Sequence, residues 1–349
     1  MEQFNLKLLF WETTRNCNLS CQHCRMEENL LDTELSTDQA RHLIDSIAAF
    51  SSPILILSGG EPLMRPDIFE IASYASAQRI KTAMATNGTL LNQTHIKEIQ
   101  SSGIQRVSVS IDGVDARTHD NFRNSEGAFD KAMNGIDLLV SNNISTQINA
   151  TITRFNNQDI EEIIRLGLYH HIDAIHFFLV VPVGCGKQLS LEERLTPSEY
   201  EATLQNIFTL TQKYNNDIFI KVTCAPQYYR ILKQKSPGMF TTQGERMQHI
   251  SKGCLAGTHV CFVSATGDVY PCGYLPVSAG HILKKPLKEI WQESAVFKQL
   301  RLPSQLAENC YSCSFVDICG GCRARAYYES GGNLMAADPN CILNTNLLH

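Results

Sequence analysis

At 349 residues, 43% hydrophobic and 19% charged, the chain has an ordinary globular composition and room for one large domain plus a smaller one. A formal charge of -5 offers no field for a nucleic-acid backbone, the opening Met1-Glu2-Gln3-Phe4-Asn5 is no secretory leader, and no apolar run reaches the ~18 residues of a membrane span. Nucleic-acid partners and membrane spans are thus excluded from expectation, the cytoplasm is the expected location, and thirteen cysteines favour metal binding over disulfides.

Six β-rich runs alternate with helical stretches: Leu8 to Thr13, Ile54 to Leu57, Lys81 to Ala85, Val107 to Ile111, Gln147 to Ile152 and Ala174 to Val181. Ser36-x-x-Gln39 has the form of a capping box that starts a helix. Thr196-Pro197-Ser198-Glu199 adds proline at the first helical position and predicts a helix to about Tyr214. Strands alternating with helices must lie parallel, because each crossover is right-handed and needs that length. Six units predict a partial (β/α)6 barrel, with ligands at the C-terminal ends of its strands. After about Asn216 the periodicity fades. The expected division is a barrel over 1–215, a bridging segment over 216–250 and a cysteine-rich domain over 251–349, held largely by metal-ligand bonds.

Strand one runs directly into Cys17-Asn18-Leu19-Ser20-Cys21-Gln22-His23-Cys24. Three thiolates on one tight loop can hold three irons of a cubane and leave the fourth open to a chelating ligand. A zinc site completed by His23 or a distant residue is the alternative that the spacing alone leaves. This motif resembles that of the radical S-adenosylmethionine (SAM) superfamily, where an aromatic residue usually stands at the position of His23. The resemblance implies a 4Fe-4S cluster on Cys17, Cys21 and Cys24 that binds and cleaves SAM, with His23 beside the cofactor.

Other strand ends extend the resemblance. Ser58-Gly59-Gly60-Glu61-Pro62 is similar to the family's segment that receives the amino group of SAM, with Glu61 offsetting the ammonium. Ala85-Thr86-Asn87-Gly88 and Ser108-Val109-Ser110-Ile111-Asp112-Gly113 are similar to the ends that face its ribose and carboxylate. Ser110 and Asp112 share the parity of one strand face, and Arg154 is a candidate partner of the carboxylate. Val181-Pro182-Val183-Gly184-Cys185-Gly186-Lys187 is placed to approach the adenine, Cys185 being a buried or loop thiol.

Eight cysteines follow within about 90 residues: Cys254, Cys261, Cys272, Cys310, Cys313, Cys319, Cys322 and Cys341. Eight ligands suit two 4Fe-4S clusters or two zinc ions, and the count does not choose. Their arrangement resembles the SPASM domain of radical SAM enzymes. That likeness assigns Cys254, Cys261, Cys272 and Cys322 to an auxiliary cluster near the barrel and Cys310, Cys313, Cys319 and Cys341 to an outer one. Two residues rather than the usual three separate Cys319 from Cys322, which leaves the ligation by Cys322 open.

The segments 253–264, 271–275 and 320–327, with Thr223-Cys224-Ala225-Pro226-Gln227-Tyr228-Tyr229-Arg230, look like the haem-synthase branch of siroheme-dependent haem biosynthesis and the related haem d1 enzymes. Only 16 residues precede Cys17 and eight follow Cys341, which argues against an appended leader-peptide-binding domain. The resemblance implies oxidative decarboxylation of two propionates of iron-coproporphyrin III to vinyls, giving haem b. A low-potential donor such as flavodoxin or ferredoxin would reduce the SAM-cleaving cluster, and an auxiliary cluster would accept the surplus electron. Arg230, Arg323 and Arg325 are candidates to hold propionates, because guanidinium forks match carboxylates. The rival readings are haem d1 or siroheme side-chain modification, a radical SAM peptide or protein maturase, and a non-enzymatic zinc scaffold.

Overall fold

The structure is a computed structural model, and it describes residues 4–26, 33–189, 191–236 and 253–345. Its strands are β1 (Leu8–Thr14), β2 (Ile54–Gly59), β3 (Thr82–Thr86), β4 (Ile104–Ser110), β5 (Ser145–Ile152), β6 (Ala174–Leu179), β7 (Phe219–Thr223), β8 (Val260–Val263), β9 (Asp268–Tyr270) and β10 (Gly280–His281). They form one sheet in the order β10-β9-β8-β1-β2-β3-β4-β5-β6-β7, parallel from β8 through β7. The six expected strand-helix units are all present. Both capping boxes form as well, at Ser36/Gln39 and at Thr196/Glu199, the latter opening the helix Pro197–Lys213.

Two features lie beyond the six units. The stretch read as a bridge supplies β7 and the helix Gln227–Lys235, and β7 continues the sheet beyond β6. The cysteine-rich part is also stitched to the barrel, since β8 pairs with β1 in the register Leu8↔Val260 to Trp11↔Val263. Among the described residues, no helix is long and apolar enough to cross a membrane.

The strands have two unlike faces. On one, Leu9, Trp11, Leu55, Leu57, Met84, Val107, Ile148, Ile175 and Phe177 are fully buried under the surrounding helices, each such side chain stabilising the fold by roughly 1.5–3 kcal/mol. On the other, the alternate positions Phe10, Ile56, Ala83, Arg106, Asn149, His176 and Lys221 are only half-buried. The sheet therefore gives up apolar burial along its inner wall, where a ligand would stand.

Candidate metal centres

The Cys17–Cys24 loop leaves the end of β1 and is held from three sides. The Gly60 amide donates to Thr14 O and the Glu61 amide to Asn16 O, both at 2.8 Å. Only glycine permits this approach: a Cβ on Gly59, whose φ is +141°, or on Gly60 would lie 2.3 Å from a backbone oxygen of Thr14 or Asn16. On a second side, the Gln22 amide donates to Phe122 O, and His23 stacks on the Phe122 ring at 4.1 Å and 6°. Burial drives the His23 pKa down to about 4, so its imidazole is neutral packing. From the third side comes the turn after β6. Gly184, at φ +55°, packs so closely on Cys24 and Arg25 that a Cβ there would lie 2.3 Å from Arg25 O. The Cys185 thiol donates to Met26 O.

Within this frame the three thiols act on one another. Burial raises the pKa of Cys17, and the nearby Cys21 and Cys24 raise it further; burial likewise raises Cys21, against the pull of Arg123. The Arg123 Nη1 lies 3.6 Å from the Cys21 sulfur, and Nη2 pairs at 2.5 Å with Asp112, which is fully buried. Sequence reasoning missed Arg123. Its signal was an arginine in the last turn of a helix capped by Asp115, eleven residues beyond Asp112.

Several expected SAM contacts are engaged within the protein. Glu61 is fully buried, and its carboxylate accepts from Thr86 Oγ1 (2.7 Å), the Asn87 amide (2.8 Å) and the Leu63 amide (3.2 Å). It pins the end of β2 to the end of β3, and Pro62 opens the short turn that follows. Asn87 bonds Asn18 at 2.8 Å and approaches the Cys17 sulfur at 3.9 Å, so it does border the thiols. Ser110 is half-buried on the inner wall. Asp112 does not share that exposure, because past the strand end its carboxylate turns inward to the Thr151 amide and Arg123. Arg154 is likewise committed, at 2.6 Å to Glu199 and to Glu192 O, because the cap of helix Pro197–Lys213 draws it aside.

The later cysteines separate into two groups and one solitary thiol. Cys224, Cys254, Cys272 and Cys322 converge: burial raises the pKa of Cys224, and the other three raise it further. Cys272 is raised in the same way by burial, Cys254 and Cys322. Cys322 thus joins this group despite its short spacing. Cys261 does not, and that expectation is corrected. It lies on β8 opposite Leu9, fully buried in the apolar core, where burial alone perturbs it. In its place stands Cys224, at the end of β7. Its φ of +60° is unfavourable for a residue with a Cβ and costs on the order of 1–3 kcal/mol. Arg325 and Tyr200 hold that turn by donating to Cys224 O at 2.8 and 3.3 Å. Cys224 stands in the segment 223–230 that resembles the haem-synthase branch, but the five residues of β7 carry too little periodicity to mark it as a strand end.

Cys310, Cys313, Cys319 and Cys341 form the outer group and line one cavity with Gly320 and Gly321. Burial raises Cys319, and Cys341 and Cys310 raise it further. Asp338 ties the two groups together. It accepts from the Cys322 amide (2.7 Å) and Gln227 (2.9 Å), pairs with Arg325 (3.0 Å), and its carbonyl accepts from the Cys341 amide (3.1 Å). Arg325 is thus engaged within the protein. So are the other two expected propionate partners: Arg230 is buried against Glu201 and Gln234, and Arg323 against the carbonyls of Leu334 and Ala336. Each guanidinium has found internal acceptors, as a buried charge must.

Among the described residues no three His, Cys, Asp or Glu side chains gather tightly enough for a single metal ion. Donor sets made wholly of cysteine, one of three and two of four, suit 4Fe-4S clusters, and the set of three leaves one iron open to a chelating ligand.

Comparison with known proteins agrees. A profile of the radical SAM superfamily matches residues 11–167, and one of the SPASM iron-sulfur cluster-binding domain matches 254–314. The AdoMet-dependent heme synthase of Methanosarcina barkeri is 42% identical over 96% of both chains. That of Nitratidesulfovibrio vulgaris is 42% identical over 96% of this chain and 92% of its own. The fold matches the crystal structure of Streptococcus suis SuiB bound to S-adenosylmethionine with a TM-score of 0.76 at 17% identity, over 97% of this chain and 77% of that one. The chain belongs to the radical SAM superfamily of enzymes, in the SPASM-domain group that includes the AdoMet-dependent heme synthases, and its cofactors are 4Fe-4S clusters and S-adenosylmethionine.

Proposed function

We propose that this chain is a haem synthase that decarboxylates two propionates of iron-coproporphyrin III to vinyl groups, giving haem b. The observation that carries the reading is the 42% identity to AdoMet-dependent heme synthases along nearly the whole chain. Cys17, Cys21 and Cys24 hold the SAM-cleaving cluster; Cys224, Cys254, Cys272 and Cys322 hold the nearer auxiliary cluster, and Cys310, Cys313, Cys319 and Cys341 the outer one. When bound, the first cluster and SAM supply one-electron cleavage of SAM and with it abstraction of a hydrogen atom.

The chain's own residues set the conditions. Gly59, Gly60 and Gly184 bring backbone against the thiol loop, Asn87 borders Cys17, and Arg123 places a fixed cation beside Cys21. Each propionate loses one hydrogen atom, one carbon dioxide and one electron on becoming a vinyl, so an electron acceptor is required. The nearer auxiliary group is suitably placed: the Tyr274 hydroxyl lies within electrostatic reach of Cys24 and Arg25 from the first loop and of Cys224 and Cys272 from the second. The electron for SAM cleavage comes from a low-potential donor of the flavodoxin or ferredoxin kind.

The test is anaerobic incubation of the holoenzyme with SAM, a reductant and iron-coproporphyrin III, followed by mass spectrometry. Two successive losses of formic-acid size, ending at haem b, are expected. Formation of 5'-deoxyadenosine with an unchanged porphyrin overturns the reading.

A further inference from the structure

The barrel's inner wall carries charge that no part of the site described so far uses. In one row of the sheet, Phe10, Ile56 and Ala83 lie abreast and lead to Arg106. In another, Ser110, Asn149, His176 and Lys221 lie abreast on β4 to β7. All are half-buried, on the face opposite the packed core. One half of the wall is thus apolar and the other polar and basic.

Among the described residues, neither cation of the basic half has an ion-pair partner. Lys221 has no hydrogen bond or ion pair among the described residues, and burial alone lowers its pKa. Arg106 donates Nε–H to Ser145 Oγ at 3.0 Å, leaving its two terminal nitrogens without a protein partner among the described residues. The nearby acid, Asp173, accepts from the Ser145 hydroxyl and the Thr146 amide and forms no ion pair with Arg106. His176 feels both cations: burial first, then Lys221 and Arg106, drive its pKa to about 3. It remains neutral and adds a hydrogen-bonding imidazole, its ring edge-on to Phe219 at 6.2 Å.

A half-buried ammonium has lost much of its hydration, a cost that an entering anion offsets. A carboxylate suits a lysine and a guanidinium fork alike. We infer that Lys221, beside His176, and Arg106, further along the same wall, are carboxylate-receiving positions that anchor propionates of the substrate while its macrocycle lies along Phe10, Ile56 and Ala83. This rests on the porphyrin reading. It assigns to the inner wall the role expected of Arg230, Arg323 and Arg325, whose donors are engaged within the protein.

The experiment is a spectrophotometric titration of the iron-loaded holoenzyme with iron-coproporphyrin III, without SAM, beside the turnover assay. Lys221→Met and Arg106→Gln should each weaken binding by about tenfold or more, as loss of a charge-assisted contact does. Lys221→Arg should restore most of it, with iron content and melting temperature unchanged. The tetramethyl ester of the same iron porphyrin should bind wild type as weakly as the acid binds Lys221→Met, and should not distinguish the two proteins. If wild type neither binds nor converts iron-coproporphyrin III, the functional reading falls. If it does both while Lys221→Met and Arg106→Gln, with full iron content, bind as tightly as wild type, the subsite falls and the functional reading stands. Should Lys221→Met fail to load iron, Arg106→Gln and Lys221→Arg decide the matter by the same titration.

Discussion

The loop Cys17–Cys24 and the later thiol groups handle the same ligand chemistry in opposite ways. In the first, three cysteines lie within eight residues, and neighbouring strand ends press glycine backbone against them. In the second, one group collects Cys224, Cys254, Cys272 and Cys322, spread over about 100 residues, while Cys261, near Cys254 in sequence, turns into the core. Local spacing defines a site only when the chain between its ligands is too short to do anything else. Once strands intervene, register decides which thiol faces which.

The largest effect expected is at the first loop. Replacing Cys17, Cys21 and Cys24 together by alanine should abolish 5'-deoxyadenosine formation while leaving about eight of roughly twelve irons, counted by colorimetric assay. Loss of all iron would show that the two regions are not independent. The sharpest test of the comparison sets Cys224→Ala against Cys261→Ala. The first should lose about four irons and the second none, at a stability cost of only about 1 kcal/mol. The reverse result would return Cys261 to the cluster.

A third prediction concerns the ion pair behind the first loop. Arg123→Met leaves the buried Asp112 unpaired, which should cost about 3–5 kcal/mol in urea unfolding. Removing a cation beside Cys21 also disfavours the more negative reduced cluster, so its midpoint potential should fall in an EPR-monitored titration. An unchanged potential would confine Arg123 to a structural role.

The smallest effect is one of pH. His119 is buried, accepts from the Asp112 amide at 3.1 Å, and has its pKa pushed by burial down to about 4. Between that value and the usual 6.5 the unfolded chain takes up a proton that the folded chain refuses, so stability falls as pH drops through this range. At pH 5.5 the loss is about 1.2 kcal/mol relative to neutral pH, and His119→Gln should remove that part of the slope in urea unfolding.

Legibility followed the range of the interactions. The six strands, both capping boxes and the helix from Pro197 were readable because alternation, hydroxyl caps and proline act within a few residues. β7 was not, because five residues bounded by turns carry little periodic signal until a neighbouring strand pairs with them. The arginines misled for a related reason. Composition shows that a guanidinium is present, whereas burial and partners decide whether it is free: Arg325 spends its donors on Asp338, Tyr200 and Cys224 O, and Arg154 on the Glu199 cap.

By itself the sequence determined the barrel class, the first thiol triplet and the presence of a second thiol-rich region, because spacing and periodicity are local quantities. Only the tertiary structure decided that Cys224 replaces Cys261, that Asp112 serves Arg123, and that Arg106, His176 and Lys221 share one wall. Those facts depend on which strands lie side by side and which face each residue takes, and both are set by packing of the whole sheet against its helices.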